Sequence, residues 1–170
     1  MARMNWSTRS IVIVAFSVTC AALAGAWLVW RSKDKESSAI ESQEGNPALQ
    51  AQVKVGAEVY ARHCSSCHGR SLEGQPNWKK HLADGSLPAP PFDETGHTWH
   101  HPDSVLFATV KLGGQATGPP DFPSKMPAFS GDLSDDEIRA VLAFIKSRWP
   151  PEIRRLQEEI NQHGSARVMP

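Results

Sequence analysis

The chain has 170 residues, with 18 basic side chains against 18 acidic ones, seven histidines and three cysteines. An even balance offers no basic stripe for nucleic acid, and the cysteines fit neither a disulfide scaffold nor a zinc module. Thirteen prolines and twelve glycines, crowded into the middle, point to long irregular loops rather than sheet.

Met1 to Ser10 carries Arg3 and Arg9 and no acid, and an apolar run follows from Ile11 to Trp30. Twenty helical residues rise about 30 Å, enough to cross a bilayer's hydrocarbon core. Trp27 and Trp30 stand at the far end, where indole rings anchor at an interface. The rival is a cleaved signal peptide, with Ala22-Leu23-Ala24 as the small-residue cleavage site. The apolar run continues past that site, which favours an uncleaved anchor. Ser17-Val18-Thr19 before Cys20 makes a poor lipidation box. Arg31 to Asn46 mixes charges with Ser, Gln and Gly without apolar period and reads as a flexible tether. The expected organisation is a cytoplasmic stub (1–10), a transmembrane segment (11–30), a linker (31–46), one domain (47–150) and a tail (151–170).

From Pro47 the pattern turns helical. Leu49, Val53, Gly56 and Tyr60 recur at spacings of three and four, with Val59 alongside. This helix leads into Cys64-Ser65-Ser66-Cys67-His68, the attachment signature of c-type haem. Two thiols three residues apart project from about one helical turn, so each can form a thioether with one vinyl group of the macrocycle. His68 follows Cys64 by four residues and presents an imidazole to the iron. A zinc half-site would need a second ligand pair, but the remaining cysteine is Cys20 in the apolar run. A thioredoxin-like dithiol would need a buried strand before Tyr60, and none is there.

Gly69 to Pro102 is punctuated by Gly74, Pro76, Gly85, Pro88, Pro90, Pro91 and Gly96 and reads as loop. Three histidines stand within five residues at His97-Thr98-Trp99-His100-His101. Copper, a second iron ligand, contact with haem propionates and a plain solvated turn all remain open for them. His63, His81 and His163 read as surface residues. A short helix begins at Pro102-Asp103, carries Val105, Leu106, Val110 and Leu112, and ends at Gly113-Gly114. The proline-rich run Gly118 to Pro123 leads to Lys125-Met126-Pro127. The last strong helix opens on a Ser134-x-x-Glu137 capping box with Leu133 and Ile138 as hydrophobic staple. Ile138, Val141, Leu142, Ile145 and Trp149 form its apolar stripe. Pro150-Pro151 ends it, and Glu152 to His163 has the pattern of one more amphipathic helix.

Val53 to Trp149 resembles a class I monohaem cytochrome c domain. The likeness rests on the first helix, Cys64-x-x-Cys67-His68, the loop-rich middle, Met126-Pro127 and the last helix. It implies an all-α fold of short helices around one covalent haem c, with Leu106 and Val110 facing it. It also implies that Gly56 lets the first and last helices cross closely, with Tyr60 and Phe144 meeting there. Met126, the one methionine inside the domain, stands where the family places its sixth ligand, giving His68 and Met126 as iron ligands. Family members acquire their haem beyond the cytoplasmic membrane, so the domain is expected on the extracytoplasmic face of a single-pass anchor. The function implied is one-electron transfer, not enzyme catalysis, alone or as a subunit of an oxidoreductase complex. Partners would be a membrane-bound oxidase, a quinol-oxidising complex or a periplasmic dehydrogenase. A peroxidase-like haem enzyme, or a haem or copper sensor built on His97 to His101, are the readings from other classes.

Overall fold

The structure is a computed structural model, and it describes residues 27, 28, 30, 31 and 46–166. Contacts divide the chain between Gly45 and Asn46. Of the first unit only Trp27, Leu28, Trp30 and Arg31 are described; they are helical and exposed, with the Arg31 guanidinium 4.9 Å from the centre of the Trp27 ring. The rest of the expected membrane span lies outside the described residues. Among the described residues no helix is long and apolar enough to cross a membrane.

From Asn46 onward every regular element described is helical. Helix α1 (Pro47–His63) starts where Asn46 Oδ1 accepts the Ala48 N–H at 3.0 Å, with Pro47 in the first turn. Proline fits there because the first-turn N–H groups have no intrahelical acceptor. The backbone scarcely breaks at Cys64 before a single turn, α2 (Ser65–His68). A 3₁₀ turn (Thr98–His100) precedes α3 (Asp103–Leu112). Gly113, at φ 85, closes α3. Gly114 then opens a further turn, α4 (Gly114–Thr117), which the Gly113-Gly114 stop signal did not announce. Helix α5 (Asp135–Ser147) has its full capping box: Ser134 Oγ accepts the Glu137 N–H, and the Glu137 carboxylate accepts the Ser134 N–H. Helix α6 (Pro151–Ala166) is the last element described.

The core lies where α1 crosses α5. Val59, Tyr60, Ile138, Val141, Leu142, Ile145 and Trp149 are buried there, joined by Leu72, Leu106 and Leu133. Each such side chain contributes about 1.5–3 kcal/mol when fully removed from water. Gly56 makes the crossing close: a Cβ built on it would stand 1.9 Å from the Ala140 carbonyl oxygen. Beside it the Tyr60 and Phe144 rings meet at 5.3 Å between centroids. Lys146 ties α5 to the start of α3 through Asp103 at 2.7 Å, and Lys111 ties α3 to the start of α5 through Asp135 at 2.7 Å.

Helix α6 is held by a buried amide. Gln157, 0% exposed, donates to the Asp103 carboxylate at 2.7 Å and to the His101 carbonyl at 3.2 Å. Asn161 Oδ1 accepts the Asp103 N–H at 2.7 Å. An amide can be buried only with its polar atoms partnered, so these bonds fix where α6 sits against the 3₁₀ turn and α3.

Candidate functional site

Cys64, Cys67 and His68 share one turn at the end of α1. Cys64 is half-buried beside the core, Cys67 is exposed, and both are free thiols. Burial, and next the neighbouring Cys67, push the Cys64 thiol up to about 11, so it stays protonated at neutral pH. His68 is 8% exposed and is fixed from three sides. Its Nδ1 lies 2.9 Å from the Pro90 carbonyl oxygen. A carbonyl can only accept, so Nδ1 carries the proton and Nε2 keeps its lone pair. Its ring stacks on Phe92 at 3.8 Å between centroids, and its own carbonyl accepts the Gly74 N–H at 2.8 Å. Burial holds the imidazole below the usual histidine value, outweighing the Pro90 bond, and so favours the neutral ring.

The supports of His68 come from far along the chain. Phe92 is fixed by its N–H on the Leu72 carbonyl (2.7 Å) and by the Trp149 indole, which donates to the Phe92 carbonyl at 2.7 Å. Tyr60 donates its hydroxyl to the Gly69 carbonyl at 2.8 Å. Gly74 takes φ 68, and a Cβ there would strike Pro91 N at 2.5 Å, so the loop after His68 can lie directly on the Pro90–Pro91 backbone. Sequence reading took Pro90 only as a loop breaker and passed over Phe92. The signal lay in the run Pro88 to Pro91: prolines lack an N–H, so an extended proline segment has spare carbonyls to offer a buried donor.

Met126 is half-buried in the coil before α5. Its carbonyl accepts the Gly114 N–H at 3.1 Å and its N–H donates to Ser124 Oγ at 3.3 Å, which fastens it to the corner between α3 and α4. Gly113 matters here, because a Cβ on it would lie 3.1 Å from the Met126 carbonyl oxygen and 2.9 Å from Ala128 N. Past Met126, Phe129 and Ser130 pair with the end of α3 through the Val110 and Lys111 carbonyls. Of the two apolar residues expected to line the haem, Leu106 is buried and Val110 partly so. No hydrogen bond or ring contact among the described residues joins Met126 directly to α2.

The histidine stretch is built as an aromatic stack. His97 lies on Trp78 (5.5 Å) and edge-on to His101 (5.6 Å), while His100 stacks on Trp99 at 3.6 Å. The Trp99 indole donates to the Glu94 carbonyl at 3.3 Å. Burial first, then neighbouring histidines, hold His97 and His101 below the usual histidine value. Among the described residues no three His, Cys, Asp or Glu side chains gather closely enough to hold a metal ion. His81 and His163 are exposed as expected, but His63 is half-buried with its ring edge-on to Phe129 at 6.2 Å.

A covalent haem requires two accessible thiols at one turn's spacing and a neutral imidazole with a free nitrogen. Cys64, Cys67 and His68 supply that donor set, with the imidazole already oriented by Pro90 and Phe92.

Residues 51–145 match the family model described as cytochrome C oxidase, cbb3-type, subunit III. The chain is also similar to a cytochrome c6 of Leptolyngbya boryana, with 32% identity over 95 residues, 56% of this chain and 91% of that relative. No solved structure matches. Cys64, Cys67, His68 and Met126 all fall within the matched span, and α6 falls beyond it.

Proposed function

Since the chain belongs to the cytochrome c family, and is thus a haem c-bearing electron-transfer protein, we propose that it is a membrane-anchored carrier of single electrons with one haem. Cys64 and Cys67 would hold the haem by thioethers, and His68 Nε2 and Met126 Sδ would bind its iron. The observation that carries this reading is His68, which shares a turn with the two thiols, is kept neutral by burial and is oriented through Nδ1 by the Pro90 carbonyl. When bound, the haem would supply a reversible one-electron couple, and a thioether as second iron ligand in place of another imidazole would favour the reduced iron and raise its potential.

The chain's own residues orient, enclose and tune. Pro90 and Phe92 fix the plane of the His68 ring, and the Pro90 carbonyl makes it a stronger donor. Leu106, Val110 and Phe129 offer apolar side chains that lower the local dielectric. The loop on Gly113 and Gly114 presents Met126 on a fixed backbone, so little rearrangement accompanies a change of charge. Support for the anchor is the apolar run Ile11 to Trp30; covalent haem, which family members acquire beyond the cytoplasmic membrane, would put the domain on the extracytoplasmic face with a partner in the same membrane. The description of the matching family favours an oxidase as that partner over a quinol-oxidising complex or a periplasmic dehydrogenase.

The visible spectrum of the matured full chain, with and without carbon monoxide, tests the ligand set. Wild type should show the weak charge-transfer band of a thioether–iron bond at the red end of the ferric spectrum and bind carbon monoxide slowly. Met126→Ala should lose the band and bind fast, whereas replacing His97, His100 and His101 together by alanine should keep it. A wild type without the band, or a band that survives Met126→Ala, refutes the assignment.

A further inference from the structure

The segment that carries Met126 has little backbone bonding of its own. Pro119, Pro120, Pro123 and Pro127 remove four N–H donors from it. Phe122 N–H reaches the Pro119 carbonyl at 3.0 Å, and Ser124 N–H donates to Gln115 Oε1 at 3.0 Å. With the Gly114–Met126 bond, that fastens the segment to the α3–α4 corner. Its other attachment runs to a different loop. Lys125 Nζ lies 2.7 Å from Asp84 Oδ2.

Asp84 is set up to receive it. Its second oxygen accepts both the N–H (3.0 Å) and the hydroxyl (2.6 Å) of Ser86, a residue only 1% exposed. The turn beneath is closed by Leu82 N–H on the Ser86 carbonyl (2.8 Å) and Gly85 N–H on the Leu82 carbonyl (3.0 Å). The same two loops also touch through apolar contacts. The His81 and Phe122 rings meet edge-on at 6.4 Å, and Pro123 Cγ is 3.5 Å from where a Cβ on Gly85 would be. Lys125 first, and then Ser86, hold the Asp84 carboxyl well below the usual carboxylate range, so it remains charged.

We propose that Asp84 is a positioning residue for the sixth iron ligand: by holding Lys125 it fastens the Met126 segment across to the loop 81–86 and limits how often the methionine sulfur leaves the iron. The proposal rests on the reading of Met126 as ligand. Asp84 touches neither haem nor iron; it acts through Lys125 on the neighbouring residue. Both partners are more than half exposed, so the tie is weakened by salt, and that gives it a signature a packing contact lacks.

The test is the rate at which carbon monoxide binds the reduced, haem-loaded full chain, since its entry requires the sulfur to depart. At low ionic strength Asp84→Asn should bind about two- to five-fold faster than wild type, the range expected of an exposed ion pair. Lys125→Gln should match it, and the double variant should be no faster than either. At about 1 M salt, where the Debye length falls to about 3 Å, wild type should approach the variants. Asp121→Asn, an exposed carboxylate on the same segment without an ion pair among the described residues, should leave the rate unchanged. Equal rates in wild type and both single variants, with the ferric band intact, overturn the role of Asp84. Absence of that band from wild type overturns the Met126 ligand itself, and the spectrum shows this before any rate is measured.

Discussion

Replacing Gly56 by alanine puts a methyl group into the crossing of α1 and α5, and two opposing effects decide the outcome. Alanine is the better helix former by about 1 kcal/mol, so an exposed site would gain stability. At Gly56 the added Cβ would lie 1.9 Å from the Ala140 carbonyl oxygen, 2.5 Å from its carbon and 2.9 Å from Phe144 Cβ. Backbone atoms have no rotamer by which to withdraw. The helices would have to part by about 1.5 Å to restore an ordinary contact, and a gap of that size forfeits much of the dispersion between their facing side chains. Overpacking of this kind costs about 1–3 kcal/mol and occasionally more. The clash with backbone puts Gly56 at the upper end, leaving a net loss of about 2 kcal/mol. For a domain near 100 residues that lowers the melting temperature by about 8–16 °C. Thermal unfolding of the haem-loaded protein, followed by circular dichroism, measures it. Gly131→Ala is the control: nothing lies within 4 Å of a Cβ there, so the change should stay within about 0.5 kcal/mol. Should Gly56→Ala melt at or above the wild-type temperature, the helices do not cross as described.

Ser134→Ala should cost about 1 kcal/mol at neutral pH by removing the cap of α5. The Ser134 N–H first, and then its hydroxyl, hold the Glu137 carboxyl below its ordinary value, so the carboxylate half of the box stabilises above that value and is lost as pH falls through the lowered one. The gap in melting temperature between wild type and Ser134→Ala should therefore narrow on acidification, as the hydroxyl's bond to the carboxylate is lost while its bond to the Glu137 N–H remains; a gap independent of pH would argue against the ionised box. Gln157→Ala should destabilise by about 1–3 kcal/mol, because it leaves the His101 carbonyl without its side-chain donor and Asp103 with Lys146 alone. Unchanged denaturant unfolding would mean that α6 is not docked through this amide. The mature N-terminus, read by mass spectrometry of membrane-extracted protein, should retain Ile11 to Trp30; a chain beginning near Gly25 would refute the anchor.

Sequence alone determined whatever a few neighbouring residues can settle. Cys64, Cys67 and His68 share a turn because helical spacing puts them there, and Ser134 with Glu137 starts α5 because the unpaired N–H groups of the first turn need acceptors. Gly56 was legible as a packing glycine because a helix bears its cost only where a methyl group does not fit. Tertiary structure decided what gives those residues their properties. Which carbonyl meets His68 Nδ1 depends on how the loop 69–91 returns, and Gly74 at positive φ with the Pro90–Pro91 backbone carries no periodicity to read. The Trp149 bond to Phe92, the Gln157 anchor of α6 and the Lys125–Asp84 tie likewise join residues far apart in the chain. Local pattern records a side chain's preference for burial or water. It does not record which distant polar group meets it once the helices have crossed, and here those meetings hold His68 and Met126 in place.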